Sequence, residues 1–312
     1  MRRIIGIGET VLDIIFRSDR PQDAIPGGST FNALISLGRV MGKTPGACTI
    51  KMVTEIGDDH IGDIIEGFME KNGVGTDFVT RHRGGQSHLS MAFLDKNNDA
   101  QYEFYKDHAN AGLDSAKVDS VTFSRDDIVL FGSFFAVNPV IREATKKLLV
   151  KAREAGAVIY YDINFRKSHI KDLPEVGENI RENCSLADFV RGSAEDFKYL
   201  YGTSDGETVY QEHIAPLCRN FILTRGSEPT QVFQGVQRWE FPVEKIETVS
   251  TIGAGDNFNA GLICALVRGG ISKERCRELT QADWAEMVSV ASRFSAAVCQ
   301  SIYNYVDEGF EA

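Results

Sequence analysis

Short runs of β-branched and aliphatic residues alternate with stretches of helical apolar spacing along nearly the whole chain, and that alternation leaves few folds open. Ile4-Ile5-Gly6-Ile7-Gly8 reads as a buried first strand. Thr30 to Val40 reads as a helix, because Phe31, Leu34, Ile35 and Leu37 share one face and Gly38 marks a stop. Thr49 to Glu55 is the next strand, and Gly62 to Lys71 the next helix, closed by Asn72-Gly73. The unit returns as a strand over 127–132, a helix from Pro139 to Ala155 ended by Gly156, and a strand over 157–162. It recurs at Asp188-Phe189-Val190 and at Asn220 to Thr224. Strands apolar on both faces, joined through helices, predict a largely parallel sheet covered on both sides.

One region breaks the rhythm. Over 86–106, Ser87, Leu89, Met91 and Phe93 alternate with other residues, as do Tyr102 and Phe104, around Lys96-Asn97-Asn98-Asp99. Period two with an Asn/Asp turn predicts a hairpin. Placed between βα units, it is expected as an accessory sheet or lid, with an antiparallel extension of the main sheet edge as the competing placement. No repeat, low-complexity run or Pro/Gly/Ser linker divides the chain, so a single domain over 1–312 is expected.

Bulk properties narrow the function classes. A net charge of -10 argues against a nucleic-acid or anionic-membrane partner. An anionic ligand stays open, since a helix N-terminus makes a local positive site in an acidic protein. The six cysteines, at 48, 184, 218, 264, 276 and 299, show no Cys-x-x-Cys pair and several stand in apolar runs. They read as reduced, buried thiols, and the six dispersed histidines give no transition-metal spacing. Met1-Arg2-Arg3-Ile4-Ile5 imitates the start of a signal peptide, but Glu9 and Asp13 interrupt the apolar stretch and no small-residue cleavage site follows. No run approaches the ~20 apolar residues of a membrane span, and the expected address is the cytoplasm.

The most informative segment is Thr248-Val249-Ser250-Thr251-Ile252-Gly253-Ala254-Gly255-Asp256-Asn257-Phe258-Asn259-Ala260-Gly261, ahead of a helix expected from Phe258 to Val267. Gly253 and Gly255 bring bare backbone N–H groups to a helix start, where they and the dipole form a site for phosphate oxygens. Asp256 stands inside that positive region. It could serve as a helix cap, but a plain cap does not need two glycines around Ala254.

This segment closely resembles the second signature of the PfkB (ribokinase-like) carbohydrate kinases, Asp-Thr-x-Gly-Ala-Gly-Asp followed by an aromatic and small residues. Only Ser250 departs from it. The first signature is matched by Gly8-Glu9, Asp13, Gly27-Gly28-Ser29-Thr30-Phe31-Asn32-Ala33 and Leu37-Gly38. Asp162-Ile163-Asn164-Phe165-Arg166 is similar to the family's Asp-x-Asn-x-Arg, and Ser193-Ala194-Glu195-Asp196 occupies the place of its Asn-x-x-Glu. Thr224-Arg225-Gly226 resembles the Thr-x-Gly turn, Arg293 to Val298 the helix beside the adenine, and Ile56 to Gly62 a structural turn.

The resemblance covers nearly the whole chain. It implies an α/β fold, a ribokinase-like three-layer α/β/α domain with a small β-sheet lid drawn from about 12–27 and 83–110. It implies ATP-dependent transfer of a γ-phosphate to a primary hydroxyl of a sugar or sugar acid, fructokinase-like, with Mg²⁺. Glu9 beside Asp13, Tyr102-Glu103-Phe104-Tyr105 and Ala109-Asn110-Ala111 look more like fructokinases and 2-keto-3-deoxygluconate kinases than adenosine kinases. Asp256 would be the base, with Gly253, Ala254 and Gly255 forming the anion hole and Arg166 meeting the transferred phosphate. Asp13, Gly27, Gly28, Asn32 and Asn164 would bind the sugar. Ser193, Asp196, Thr224 and Gly226 would attend the nucleotide. Asp196 would reach the metal through water, with Glu195 as its rival. Taken alone, Asn32 reads as a helix-start hydrogen bond and Arg166 as a solvated surface group.

Ser250 replaces an Asp that often helps bind a monovalent cation, and the usual Gly-Ala near the chain end gives way to Tyr303-Asn304-Tyr305, so potassium activation stays open. Lids of this family often pair between subunits, and the apolar alternation over 89–93 suits a homodimer. A nucleoside kinase on the same scaffold and a non-catalytic sugar-sensing member are the alternatives. A dinucleotide-dependent oxidoreductase fails, because Gly6-Ile7-Gly8 would need its third glycine where Val11 stands.

Overall fold

The computed structural model describes residues 2–18, 20–42, 48–94, 100–105 and 112–312. In chain order the first half runs β1 (Arg3–Ile7), β2 (Val11–Arg17), β3 (Arg20–Gly27), α1 (Ser29–Met41), β4 (Thr49–Gly57), α2 (His60–Lys71), β5 (Val74–Gly75), β6 (Val79–His82), β7 (Leu89–Leu94), β8 (Ala100–Tyr105) and α3 (Ser115–Ser120). It continues with β9 (Ile128–Gly132), α4 (Arg142–Glu154), β10 (Val158–Asp162), α5 (Leu173–Leu186), β11 (Phe189–Ser193), α6 (Ala194–Tyr201) and α7 (Gly206–Val209). The last elements are β12 (Asn220–Arg225), β13 (Glu228–Gln234), β14 (Gln237–Phe241), α8 (Ala254–Arg268) and α9 (Gln281–Cys299).

The central strands are apolar on both sides because each side feeds a different core. Ile4, Ile128, Leu130, Val158 and Tyr160 pack into one cluster with residues of α1, α2, α8 and α9. Ile5, Val129, Phe131, Ile159 and Tyr161 point the other way, into a cluster completed by α3 to α7. Period-two alternation of strand side chains thus builds a helix–sheet–helix sandwich. Each fully buried aliphatic or aromatic side chain contributes about 1.5–3 kcal/mol.

The central sheet runs β14-β13-β12-β11-β10-β9-β1-β4-β5, with β6 beside β4. From β5 to β12 the pairings are parallel, as the alternation implies. The order reverses beside β1, and open sheets of this kind bind ligands at such a point, outside the strands' C-terminal ends. The antiparallel edge β12-β13-β14 was not anticipated.

The accessory strands form a separate sheet, β3-β2-β7-β8. β7 and β8 are antiparallel, as expected for the hairpin, and β7 pairs in parallel with β2. The hairpin therefore does not extend the edge of the main sheet. Phe16 sits opposite Phe93, and their rings stack at 4.9 Å. Asp13 sits opposite Ser90 on the other face. The Lys96–Asp99 turn and Ala109–Ala111 lie outside the described residues.

Helix limits differ from the expected ones where side chains compete with the backbone. α4 begins at Arg142 rather than Pro139. Asn138 explains this: its side chain accepts from Val140 N at 3.0 Å and its carbonyl from Ile141 N at 3.2 Å, holding a turn there. Asp59 caps α2 through Gly62 N at 2.7 Å and also accepts from Ser87 N at 2.7 Å, which ties the turn to the segment leading into β7. The six cysteines are free, and all but Cys299 are buried.

The site depends on where α8 lies, and α8 lies on α9 through Gly261. A Cβ at Gly261 would come to 2.5 Å from Ala291 Cα and 2.8 Å from Val290 O, both backbone atoms. Gly261→Val should therefore cost about 1–3 kcal/mol, read as a lower urea midpoint. An unchanged midpoint would contradict this packing.

Candidate active site

α8 starts at a glycine for a geometric reason. Gly253 has φ 76°, and a Cβ there would lie 2.9 Å from Asn304 O. A side-chain-bearing residue would meet both strain and a clash. No side chain caps α8. The first-turn N–H groups lack intrahelical partners, and the positive end of the dipole is there with them. Ala254 N makes a long turn contact of 3.3 Å to Thr251 O. An uncapped helix start of this kind can accept an anion.

Asp256 sits in that first turn and is buried, yet it does not cap its own helix. Its Oδ1 accepts from Ser29 Oγ at 2.6 Å and its Oδ2 from Asn32 Nδ2 at 2.9 Å. The starts of α1 and α8, 224 residues apart at Asn32 and Asp256, are thereby locked together. The plain-cap reading of Asp256 and the helix-start reading of Asn32 are both replaced by this contact. Asn32 Oδ1 is buried with no partner, a strong acceptor left for another group. Burial raises the Asp256 pKa, while Ser29, Asn32 and the Arg166 charge pull it back down.

Asp13 and the glycine pair stand beside this contact. A Cβ on Gly27 would fall 2.4 Å from Asp13 Oδ2, so the backbone runs directly against the carboxylate. Gly28 has φ 129°, and a Cβ there would meet Glu9 O at 2.3 Å. The Asp13 pKa is pushed up to about 6, chiefly by burial; Ser90 opposes this, and the Asp256 and Glu9 charges add to it. Asn164, at the strained φ of 39°, donates to Ser29 Oγ at 3.0 Å and to Ser133 Oγ at 2.9 Å. Arg166 is exposed just beyond it.

The residues expected at the nucleotide lie further along the same sheet edge. Ser193 and Asp196 form a reciprocal capping box: Asp196 N donates to Ser193 Oγ at 3.2 Å, and Ser193 N to Asp196 Oδ2 at 2.6 Å. Asp196 points inward, with its pKa pushed up to about 6 mainly by burial, whereas Glu195 is exposed. Gly226, at φ 62°, makes the turn from β12 into β13. Arg293 to Val298 falls in α9.

Two contributors were not singled out from the sequence. Ser29 is the hub between Asp256 and Asn164. Arg191 is buried in the middle of β11, with Nη1 donating to Asp162 Oδ1 at 3.0 Å and Nη2 to Thr224 Oγ1 at 2.6 Å. Its Nη1 would lie 2.9 Å from a Cβ on Gly255, so a buried cation underlies the glycine turn. Asp162 Oδ2 accepts from Asn259 Nδ2 at 2.7 Å, which pins α8 to β10. The available signal was an arginine inside the apolar run Phe189-Val190-Arg191-Gly192.

With that geometry in place, comparison with known proteins defines the class. The pfkB family carbohydrate kinase profile matches residues 1–306, and the chain belongs to that family of phosphotransferases acting on an alcohol group. A probable fructokinase-4 of Arabidopsis thaliana is 25% identical over 276 residues, covering 85% of this chain and 82% of its own. Aminoimidazole riboside kinase of Salmonella typhimurium is 24% identical over 269 residues, covering 86% and 82%. A crystal structure of fructokinase from Vibrio cholerae O395 bound to fructose, ADP and calcium ion has a TM-score of 0.83 at 20% identity, covering 97% and 94%. The fold is ribokinase-like.

Two outcomes follow from the buried charges. Asp13 binds its proton more tightly folded than unfolded, so its contribution to stability is greatest at low pH and is lost as pH rises from the ordinary carboxylate range through about 6. Asp13→Asn should therefore be about 1–3 kcal/mol more stable than wild type at pH 8, a gain that fades at pH 4. Denaturation at the two pH values checks it, and equal stability at pH 8 would contradict it. Arg191→Met strands the buried Asp162 and should cost about 3–5 kcal/mol by urea unfolding. A cost below ~1 kcal/mol would show that the pair is not holding the site together.

Proposed function

We propose that this chain is an ATP-dependent kinase that transfers the γ-phosphate to a primary hydroxyl of a sugar, with fructokinase-like selectivity. The observation that carries the reading is the Asp256 contact: a carboxylate inside an uncapped, glycine-led helix start, hydrogen-bonded to the Ser29 and Asn32 side chains of the hydroxyl-binding segment. A base and an anion site within one helical turn of each other are what phosphoryl transfer to an alcohol requires. The fructokinase relatives support the sugar assignment.

In this mechanism Asp13, the Gly27-Gly28 backbone and Asn32 Oδ1 hold the sugar hydroxyls, and Asn164 holds Ser29 in register. The γ-phosphate rests on the N–H groups of Gly253, Ala254, Gly255 and Asp256. Asp256 takes the proton of the hydroxyl as its oxygen attacks phosphorus in line with the departing ADP. The backbone donors, the helix dipole and Arg166 stabilise the negative charge spread over the equatorial oxygens. Ser193, Asp196, Thr224 and Gly226 line the nucleotide's side of the sheet edge. The β2-β3-β7-β8 sheet covers the sugar and limits hydrolysis by water.

Mg²⁺ fits this arrangement as a companion of the phosphates. Among the described residues no three His, Cys, Asp or Glu side chains gather to hold a metal. The ion usually keeps several waters and binds through one or two carboxylates with substrate phosphates. Asp196, at the start of α6 on the same sheet edge, is the carboxylate that would reach the ion through water. Mg²⁺ supplies charge neutralisation along the phosphates when bound.

The free, mostly buried cysteines suit a reducing compartment such as the cytoplasm, and no described helix is long and apolar enough to cross a membrane. A homodimer through the lid is part of the proposal, since Ile14, Phe16, Met91 and Phe93 share the sheet face opposite Asp13 and are only partly buried. A nucleoside acceptor is the second reading. It is favoured by the aminoimidazole riboside kinase relative and by the similarly folded crystal structure of aminoimidazole riboside kinase from Salmonella enterica with aminoimidazole riboside and an ATP analog.

Replacing Asp256 by Asn keeps the shape and removes the base. Turnover on fructose should fall ~10²–10⁴-fold while ATP affinity changes less than about threefold. Steady-state kinetics with calorimetric ATP binding checks this, and loss of turnover matched by equal loss of ATP affinity would contradict the role.

A further inference from the structure

The glycine turn that leads into α8 is braced from behind by one fully buried side chain. Asn257 lies one residue past Asp256, in the first turn of α8. Its backbone N–H makes the ordinary helical bond to Gly253 O at 2.9 Å, and its Nδ2 donates to that same carbonyl at 2.8 Å. Nδ2 also donates to Asn304 O at 2.8 Å. Oδ1 accepts from Ser36 Oγ of α1 at 2.5 Å, and Ser36 Oγ accepts in turn from Val306 N at 3.1 Å. These partners fix which way the amide points. The two carbonyls can only accept, and Ser36, having accepted from Val306 N, keeps its own proton to give, so a flipped amide would set oxygen against oxygen. One side chain thus joins the α8 start, α1 and the 304–306 segment. That segment stands beside both glycine turns: a Cβ on Gly253 would meet Asn304 O at 2.9 Å, and one on Gly27 would lie 3.9 Å from Asn304 Nδ2.

We propose that Asn257 is a positioning residue for phosphoryl transfer: its amide clamps the Gly253 turn to the Asn304 segment, giving N–H donors to two carbonyls that a monovalent cation would otherwise have to satisfy, so that ATP binding and turnover need no such cation. The inference rests on the reading of this turn as the phosphate site and goes beyond it. Backbone carbonyls that converge on one point carry partial negative charge, which a donor or a cation must answer. Asn257 answers it with neutral N–H groups that belong to the chain itself. Ser250, just ahead of the turn, is neutral as well, and its Oγ accepts from Ile252 N at 3.2 Å. The Gly253 carbonyl and the Ala254 N–H share one planar trans peptide and point in opposite directions. Holding that carbonyl from behind therefore aims the N–H outward from the helix start, toward a bound phosphate. As a packing contact alone, Asn257 would add stability and leave the ATP affinity of the folded protein untouched.

The experiment uses the full chain in potassium chloride and in tetramethylammonium chloride of equal ionic strength, and measures calorimetric ATP binding with Mg²⁺ and turnover on fructose. Wild type should bind ATP and turn over within about twofold in the two salts. Asn257→Ala should weaken ATP binding ~10–100-fold in both, because the unpaired carbonyls no longer hold the turn. Asn257→Asp sets a carboxylate against the two carbonyls. Its ATP affinity should fall ~10–100-fold in tetramethylammonium and recover most of that loss in potassium, which the new cluster of oxygens can bind. Melting temperatures show that each variant is folded at the assay temperature. Asn257→Ala carries the test should Asn257→Asp fail to fold, and the wild-type salt comparison needs neither. A wild-type ATP affinity or turnover that rises ~10-fold or more with potassium overturns the inference. So does an Asn257→Asp loss that potassium leaves uncorrected, or a pair of variants whose ATP affinity stays within about twofold of wild type while only their melting temperatures fall. Phosphorylation of no sugar by wild type overturns the sugar-kinase reading alone, since ATP affinity in the two salts still judges the inference.

Discussion

The hydrogen bonds from Ser29 and Asn32 to Asp256 are the contact on which the site depends. They turn a carboxylate away from its own helix start, where it would have served as a cap, and leave the first-turn N–H groups of α8 uncapped by any side chain. Two chemically opposite features then coexist within one turn: the positive end of a helix and a carboxylate, which the proposed function reads as anion site and base. Neither works alone, since a helix start without the carboxylate binds phosphate and moves no proton. The contact also sets the spacing between the glycine turn at Gly27-Gly28 and the one at Gly253 to Gly255. On the proposed reading, phosphate and hydroxyl would be brought to one place by two helices rather than by a flexible loop.

The supports of that contact are costly, as functional sites tend to be. Asp13 and Asp196 are carboxylates buried enough to hold protons up to about pH 6, and Arg191 is a buried guanidinium whose Nε lacks a partner. Asn164 and Ser133 both sit at positive φ and meet through their side chains. The remainder of the molecule offsets these strains by ordinary means: two apolar cores on either face of a parallel sheet, filled by period-two strands and amphipathic helices.

Much of this was legible in the residue order, and the reasons are local. A strand buried on both faces has to be apolar throughout, so Ile128 to Gly132 and Val158 to Asp162 announced themselves. Gly253 and Gly255 were legible because backbone approach and positive φ leave few residue choices. Arg191 was not, because its meaning comes from Asp162 and Thr224 on neighbouring strands, and strand adjacency leaves no mark in the periodicity of one strand. The same holds for Asn257, whose partners Ser36 and Asn304 stand 221 and 47 positions away and meet it only in the fold. The start of α4 was misplaced because helical spacing continues through Pro139, while the Asn138 side chain decides the turn. The edge hairpin β13-β14 was missed because its strands, rich in Gln, Glu and Arg, lack the apolar density of the central strands.

The central claim is spatial: one carboxylate stands between an alcohol and a phosphate held on a glycine turn. A crystal structure with fructose and a non-hydrolysable ATP analogue tests it most directly. The account predicts the primary hydroxyl oxygen at roughly 2.6–3.2 Å from an Asp256 carboxylate oxygen, with the terminal phosphate on the backbone between Gly253 and Asp256. A hydroxyl held elsewhere in the pocket, or a phosphate lodged away from that turn, would contradict it.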